Sequence, residues 1–201
     1  ITGGLILLIL AAVSLVYFLA SQSLPDYSQR LALRDITVPV EIVRDNSNVP
    51  HILADRDAEV YFGLGYAHAQ DRLWQMTMLR RTAQGRLSEV FGLRTVEIDR
   101  LRRRLELYRL AQASVDVQDA LTLEALEAYA DGVNARLAEI NQRALGRGAP
   151  EMFLFNTPVA PWQPGDSIAI GKLMALQLTV HLSEEVLRAR VSLMVNDPAR
   201  L

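Results

Sequence analysis

From Asp57 onward the apolar residues change their period, and two glycines fall inside the new pattern. Val60, Leu64, Ala67, Leu73, Met76 and Leu79 recur at helical spacing, with Arg72, Arg80 and Arg81 available for a wetter side. Gly63 and Gly65 would each weaken an ordinary helix by about 1 kcal/mol relative to Ala. A helix that keeps them is one against which another element packs closely. Gln84-Gly85 then ends the helix or bends it.

The residues before this point have a different rhythm. Val38 to Arg44 is rich in β-branched residues, with Val38, Val40 and Ile42 on one side and Glu41 on the other. Asp45-Asn46-Ser47-Asn48 is a turn cluster and Val49 to Leu53 a returning strand, which makes a β-hairpin. Further upstream, Ile1 to Ala20 has no charge and no proline. As a helix it spans roughly 30 Å, the thickness of a bilayer's hydrocarbon core, and Tyr17 and Phe18 suit the interface. It exceeds the apolar stretch of about 7–15 residues in a cleaved signal peptide. Ala20-Ser21-Gln22-Ser23 still offers small residues that a signal peptidase accepts, so a cleaved signal stands as the alternative to an anchor. The chain opens on Ile rather than Met, and residues upstream of it are expected.

Downstream, Asp99 to Glu106 holds four arginines, with Leu101, Leu105 and Tyr108 as an apolar stripe. This reads as a helix whose charged face is solvated and balanced by Glu97, Asp99 and Glu106. An anionic lipid or nucleic-acid surface is the other reading, and a formal net charge of −2 speaks against nucleic acid. Val117 to Arg143 is a second helix along Leu121, Leu126, Tyr129, Val133, Leu137 and Ile140, broken at Gly146 to Pro150. Pro161 to Ser167 is a turn into a helix from Ile168 to about Leu178. A last helix runs from about Ser183 to Val195, with Ser183 as N-cap and Glu184 and Glu185 at its positive end. These elements divide the chain into an apolar helix at 1–20, a tether at 21–37 and an α+β, mostly helical region at 38–201.

The residues that could carry chemistry are few. With no cysteine there is no thiolate nucleophile or ligand. None of the three histidines, His51, His68 and His181, has a metal-motif partner. His51 reads as a structural histidine that bonds backbone or orients a loop, and His68 as a packed core residue. There is no GxSxG or SxxK motif. From the residues alone, this is a membrane-tethered helical domain without a complete active site.

Several segments in order nevertheless resemble one family. Val40-Glu41-Ile42-Val43-Arg44-Asp45 with Val49-Pro50-His51-Ile52, the run Tyr61 to Met76 (YFGLGYAHAQDRLWQM), and Met78 to Arg81 with Gln84 to Gly92 are similar to the start of the α subunit of penicillin acylases. Ala128 to Asn134 and Trp162 to Asp166 continue the resemblance. It implies the α-subunit portion of a four-layer αββα N-terminal-nucleophile hydrolase, cut from a precursor. The nucleophile would be the first residue, a serine, of a separate β subunit, with its own α-amino group as base. No catalytic residue is then expected in this chain, and the Tyr61–Met76 helix becomes a framework on which the β subunit packs.

The same resemblance places substrate-binding residues at Met174, Gln177 and Leu178. Gln177 and Leu178 stand where family members that prefer phenylacetyl groups carry an Arg and a Phe, so an aliphatic acyl chain is expected. The substrate would be an acyl-amide: a penicillin or cephalosporin side chain, an N-acyl-homoserine lactone or a lipopeptide acyl chain. Glu184 falls on an α-chain ligand of a structural calcium shared with the β subunit, with Glu185 one register away. The implied place is the periplasm or the outside, anchored through residues 1–20 or released by signal cleavage. The contrasting reading is a catalytically inactive anchored scaffold with the same architecture.

Overall fold

A computed structural model of the chain describes residues 2–28, 39–142, 148–155, 159–178 and 182–194. Its elements in chain order are α1 (Thr2–Ser21), β1 (Glu41–Arg44), β2 (Pro50–Leu53), α2 (Asp57–Gln84), α3 (Ser88–Phe91), a 3₁₀ turn (Gly92–Thr95), α4 (Val96–Arg104), α5 (Leu107–Val115), α6 (Ala120–Asn141), α7 (Glu151–Leu154), α8 (Pro164–Leu178) and α9 (Leu182–Met194).

The spine is the crossing of α2 with α6, and glycine makes it possible. A Cβ on Gly65 would sit 2.1 Å from the Tyr129 carbonyl oxygen, and one on Gly132 would sit 2.0 Å from the Phe62 carbonyl oxygen. Each helix thus sets a bare Cα against the other's backbone. Gly63 is claimed by the hairpin instead, with the Ile52 and Val40 methyls 2.6 and 2.9 Å from where its Cβ would be. Both glycines of the motif therefore serve contacts within this chain. Below the crossing, Ala69, Leu73, Met76, Ala130, Val133 and Leu137 close into a core capped by Trp162. A second cluster joins Ala83 of α2 to Leu107 and Ala111 of α5 and to Ala169 and Leu173 of α8.

The hairpin pairs Glu41 with Leu53, Ile42 with Ile52, Val43 with His51 and Arg44 with Pro50, antiparallel. Its alternation is as the sequence reads: Ile42 and Arg44 are half-buried, Glu41 and Val43 exposed. His51 orients the turn through Asp45, 3.5 Å from its imidazole, while the same carboxylate accepts the Ser47 and Val49 amides at 2.8 and 2.9 Å.

Three expectations are corrected. Arg80 and Arg81 are buried, not on a wet side, because each has a carboxylate partner, Asp166 and Glu89 respectively. The segment from Asp99 to Glu106 is not one helix running into Tyr108, since Glu106 takes a left-handed φ of 51° and separates α4 from α5. Leu101 and Leu105 are exposed there, and the buried residue is Asp99. Its carboxylate accepts the Leu87 and Ser88 amides at 2.9 and 2.8 Å and so anchors the start of α3. Burial works against that charge, but the bonds from Ser88 and Leu87 and the nearby Arg103 outweigh it and hold the carboxyl below the usual aspartate range.

α6 begins where Asp119 caps it, accepting from the Thr122 amide at 3.0 Å and the Thr122 hydroxyl at 2.7 Å. α8 starts four residues before the apolar run. Pro164 suits the first helical position, and the Asp166 carboxylate reaches back to the Gln163 amide at 2.9 Å. The exposed apolar surface of α1 runs its whole length, and among the described residues it is the one helix long and apolar enough to cross a membrane. A signal sequence meets the same criterion. Within the stretch read as a tether, Ser23 is buried and Tyr27 lies over Arg44, 3.9 Å from guanidinium carbon to ring centre. Residues 29–37 fall outside the described residues, as does His181. α9 is exposed along residues 184–194.

Candidate functional site

α2, α6 and the start of α8 enclose an open groove of about 700 Å³. This size lies within the range of ligand pockets. Its walls are largely apolar, with Tyr61, Leu64 and Met76 from α2, Leu121 and Tyr129 from α6, and Ile170 from α8.

Two polar networks fix the walls. At the α8 end, the Arg80 guanidinium donates to the Ala160 and Pro161 carbonyls at 3.1 and 3.2 Å and to the Asp166 carboxylate at 3.3 Å. The Tyr108 hydroxyl donates to the other oxygen of Asp166 at 2.9 Å; burial, then Asp166 itself, pushes that phenol above its ordinary value. Asn134 of α6 grips the backbone of Trp162, donating to its carbonyl at 2.9 Å and accepting from its amide at 2.6 Å. The Trp162 indole N–H donates to Ser167 Oγ at 3.0 Å. The segment that sequence reading takes as a turn is thus the point where α2, α5, α6 and α8 are joined.

At the other end, Arg44 holds Asp71 through two bonds of 2.9 and 3.0 Å. Its guanidinium also donates to the Asn48 carbonyl and to Gln70 Oε1. The Tyr27 hydroxyl donates to Asp71 at 3.1 Å. One residue on, Arg72 leaves helical geometry, with φ −134° and ψ 20°, and the helix kinks. Arg72 lines the groove and makes no hydrogen bond or ion pair among the described residues.

His68 is exposed on the groove wall, which corrects the reading of a packed core histidine. Its helix face is the one left open beside the α6 crossing. Its Nδ1 lies 3.0 Å from the Tyr129 hydroxyl. Burial pushes the Tyr129 phenol up to about 12, and burial likewise lowers His68 from its ordinary value. At neutral pH both rings are uncharged. The nearby hydroxyls are engaged elsewhere, Ser167 with Trp162 and Thr122 with Asp119. Among the described residues, then, the hydroxyl paired with His68 is the Tyr129 phenol, which burial holds in its protonated form, and no serine or threonine hydroxyl is paired with it. It can bind an apolar group and orient a charged one.

The residues read as substrate-binding lie further along α8. Ser167, Ile170, Met174, Gln177 and Leu178 share one helical stripe by spacing. The first two line the groove, whereas Met174 is 54% and Leu178 75% exposed beyond it. A Cβ added at Gly171, beside this stripe, would meet nothing within 4 Å. Glu184 and Glu185 are exposed in the first turn of α9, with Glu185 accepting from Arg188 at 2.7 Å. Calcium takes six to eight oxygens, and no three described His, Asp or Glu side chains converge. Alone, these residues do not form a calcium cage. Sequence reading missed the groove because Tyr61, Arg72 and Leu121 belong to separate periodic patterns that meet only through the glycine crossing.

Residues 39–200 match the sequence model of the penicillin amidase family. The chain belongs to that family. Penicillin amidase relatives include the penicillin acylase 2 proenzyme of Pseudomonas sp. (strain SE83), 38% identical over 157 residues, which cover 77% of this chain and 19% of the relative. The acyl-homoserine lactone acylase QuiP of Pseudomonas syringae pv. tomato is 36% identical over 77% of this chain and 18% of its own length. The chain thus spans about a fifth of these curated relatives. Among solved structures of this family, the thermostable penicillin G acylase of Alcaligenes faecalis superposes with a TM-score of 0.65 at 28% identity, over 82% of this chain and 88% of the matched chain.

Proposed function

We propose that this chain is the α-type segment of an acylase that hydrolyses a linear acyl-amide, with the nucleophilic serine at the start of a companion β subunit from the same precursor. The observation that carries the reading is the family match over residues 39–200, on a fold with an open, largely apolar groove. In this reading the chain alone is inactive. Met174, Gln177 and Leu178 continue the groove stripe and line the acyl pocket once the companion covers them. A flexible Met/Leu wall without an aromatic side chain favours an aliphatic acyl group. Relatives named as penicillin acylases and acyl-homoserine lactone acylases bracket the substrate class.

Glu184, with Glu185 as the neighbouring register, supplies one carboxylate to a structural calcium whose remaining ligands come from the companion. Bound there, the ion would tie the exposed α9 to the second subunit. α1 carries the domain on the outer side of a membrane, or directs its export.

The test is expression of this chain alone and of its complete coding sequence, each assayed on matched aliphatic and phenylacetyl amides of one amine. Turnover only in the second arm, faster on the aliphatic amide, supports the reading. A phenylacetyl preference removes the pocket assignment. No turnover in either arm leaves the anchored scaffold.

A further inference from the structure

α4 is built inside out. It meets the end of α2 with polar groups: Asp99 is the one residue it buries, and Arg103 Nε donates to the Gly85 carbonyl at 2.7 Å. Its apolar residues lie on the other side. At about 100° per residue, Ile98, Leu101 and Leu105 fall in a stripe about 60° wide, centred roughly 150° from Asp99 and Arg103. They are 41, 50 and 41% exposed, and Leu93 in the preceding 3₁₀ turn is 92% exposed. None of the four lines the groove. A surface helix ordinarily turns its apolar stripe toward its own core, so this one is oriented for a second apolar medium.

The charges beside the stripe select that medium. From Leu93 to Leu105 the chain has five arginines against two acids, and one of the acids is the buried Asp99. Glu97 is spent on Arg100, while Arg94 and Arg104 are exposed and have no ion pair among the described residues. An apolar stripe beside unpaired cations is the pattern of a helix lying in a lipid–water interface among anionic headgroups. A bilayer is also within reach. Tyr27, six residues beyond the end of α1, is pinned to Arg44 and Asp71. Asp71 stands fourteen positions before Gly85, roughly 21 Å at the helical rise. The nine residues of α4 are a short interfacial helix, but a membrane-spanning α1 makes their docking intramolecular and raises their effective concentration at the surface. We infer that α4 and the turn before it rest on the membrane that α1 crosses, with Leu93 and the Ile98–Leu105 stripe in the apolar boundary and Arg94 and Arg104 on anionic lipid phosphates. Docking there fixes the orientation of a domain that would otherwise swing on α1. The inference rests on the reading above that α1 holds the domain at a membrane.

The test uses the assembled acylase made from its complete coding sequence, reconstituted into phosphatidylcholine vesicles containing roughly one third phosphatidylglycerol. This chain has no cysteine, so Leu101→Cys, and in a second protein Val117→Cys, each give it a single thiol for an environment-sensitive fluorophore. Val117 is 79% exposed and lies beyond the far end of α5. The unsubstituted enzyme sets the background from any thiol in the companion. Lipids brominated near the headgroup end of their acyl chains should quench the probe at 101 severalfold more than the probe at 117. Replacing Arg94 and Arg104 together by Gln, or leaving out the phosphatidylglycerol, should remove most of that difference. Equal quenching at 101 and 117 in anchored enzyme would overturn the docked helix while leaving the anchor intact. So would a probe at 101 that is already shielded in detergent and untouched by brominated lipid, because the companion or a second copy would then cover the stripe. Quenching unchanged by either loss of charge would overturn the anionic lipid as the partner. A mature enzyme whose mass shows residues 1–20 removed would overturn the anchor itself.

Discussion

Replacing Gly65 by alanine tests the physical reason for the α2–α6 crossing. The new methyl would lie 2.1 Å from a carbonyl oxygen whose ordinary contact distance begins near 3.4 Å, so the helices must separate by about 1.3 Å. Neither partner can yield by a rotamer change, because the obstacle is backbone. Separation on that scale forfeits a quarter to a half of the dispersion energy of each contact it opens, and Ala69, Leu73, Ala130 and Val133 all lie in that seam. We place the packing loss near the upper end for overfilled cores, about 3 kcal/mol, offset by about 1 kcal/mol of helix propensity. The net cost of about 2 kcal/mol should lower the melting temperature by about 4–8 °C. Gly171→Ala adds the same methyl where nothing lies within 4 Å, and should stabilise by about 0.4–1 kcal/mol. Gly132→Ala should match Gly65→Ala, and the double substitution should cost less than the sum because the helices part only once. Denaturant midpoints of the purified proteins decide it. If Gly65→Ala gains as much as Gly171→Ala, the close backbone approach is wrong.

Asp166→Asn leaves the Arg80 charge buried without its counter-ion and should cost about 3–5 kcal/mol, read from the same denaturant midpoints; a loss below 1 kcal/mol would show that the two carbonyl contacts hold Arg80 unaided. Arg44→Ala should cost about 1.5–3 kcal/mol through its charged hydrogen bonds and speed hydrogen exchange at Tyr27 and Ser28, and Arg44→Lys should not restore the two-pronged grip on Asp71. His68 has a folded-state pKa below its unfolded value, so below about pH 6.5 the unfolded chain binds more protons and stability falls with pH. An NMR titration of His68 should show its midpoint below 6.5, and His68→Gln should flatten the stability profile in that acidic window.

Gly63 and Gly65 announced a close approach in the sequence, but not its partners. Those are Val40 and Ile52 on one side and Tyr129 on the other, and nothing local to α2 encodes them. The hairpin and α6 were legible because alternation and a single apolar stripe are local signals. α4 and α5 were misread for a related reason. Leu101 and Leu105 have helical spacing, yet the tertiary structure spends its burial on Asp99, whose value lies in the two α3 amides it caps twelve and eleven residues away. The groove suffered most, since it is assembled from three helices and positioned by bonds such as Arg80 to Asp166 that no periodicity reveals. Met174 and Leu178 were visible only through resemblance, because exposed apolar residues on one helix say nothing of what will cover them.

The junction at Trp162 to Asp166 also sets an order of events during synthesis. Arg80 finds its carboxylate 86 residues later in the chain, and Asn134 finds its backbone partner 28 residues later. At about 5–20 residues per second, the first of these waits lasts about 4–17 s on the ribosome. Through that interval α2 carries a cation that the finished fold buries, so the α2–α6 pair cannot reach its final packing until the start of α8 has emerged. A pause in translation before Pro161 would hold the nascent domain short of closure, with α2 and α6 made but Trp162, Ala169, Leu173 and the Arg80–Asp166 lock still missing.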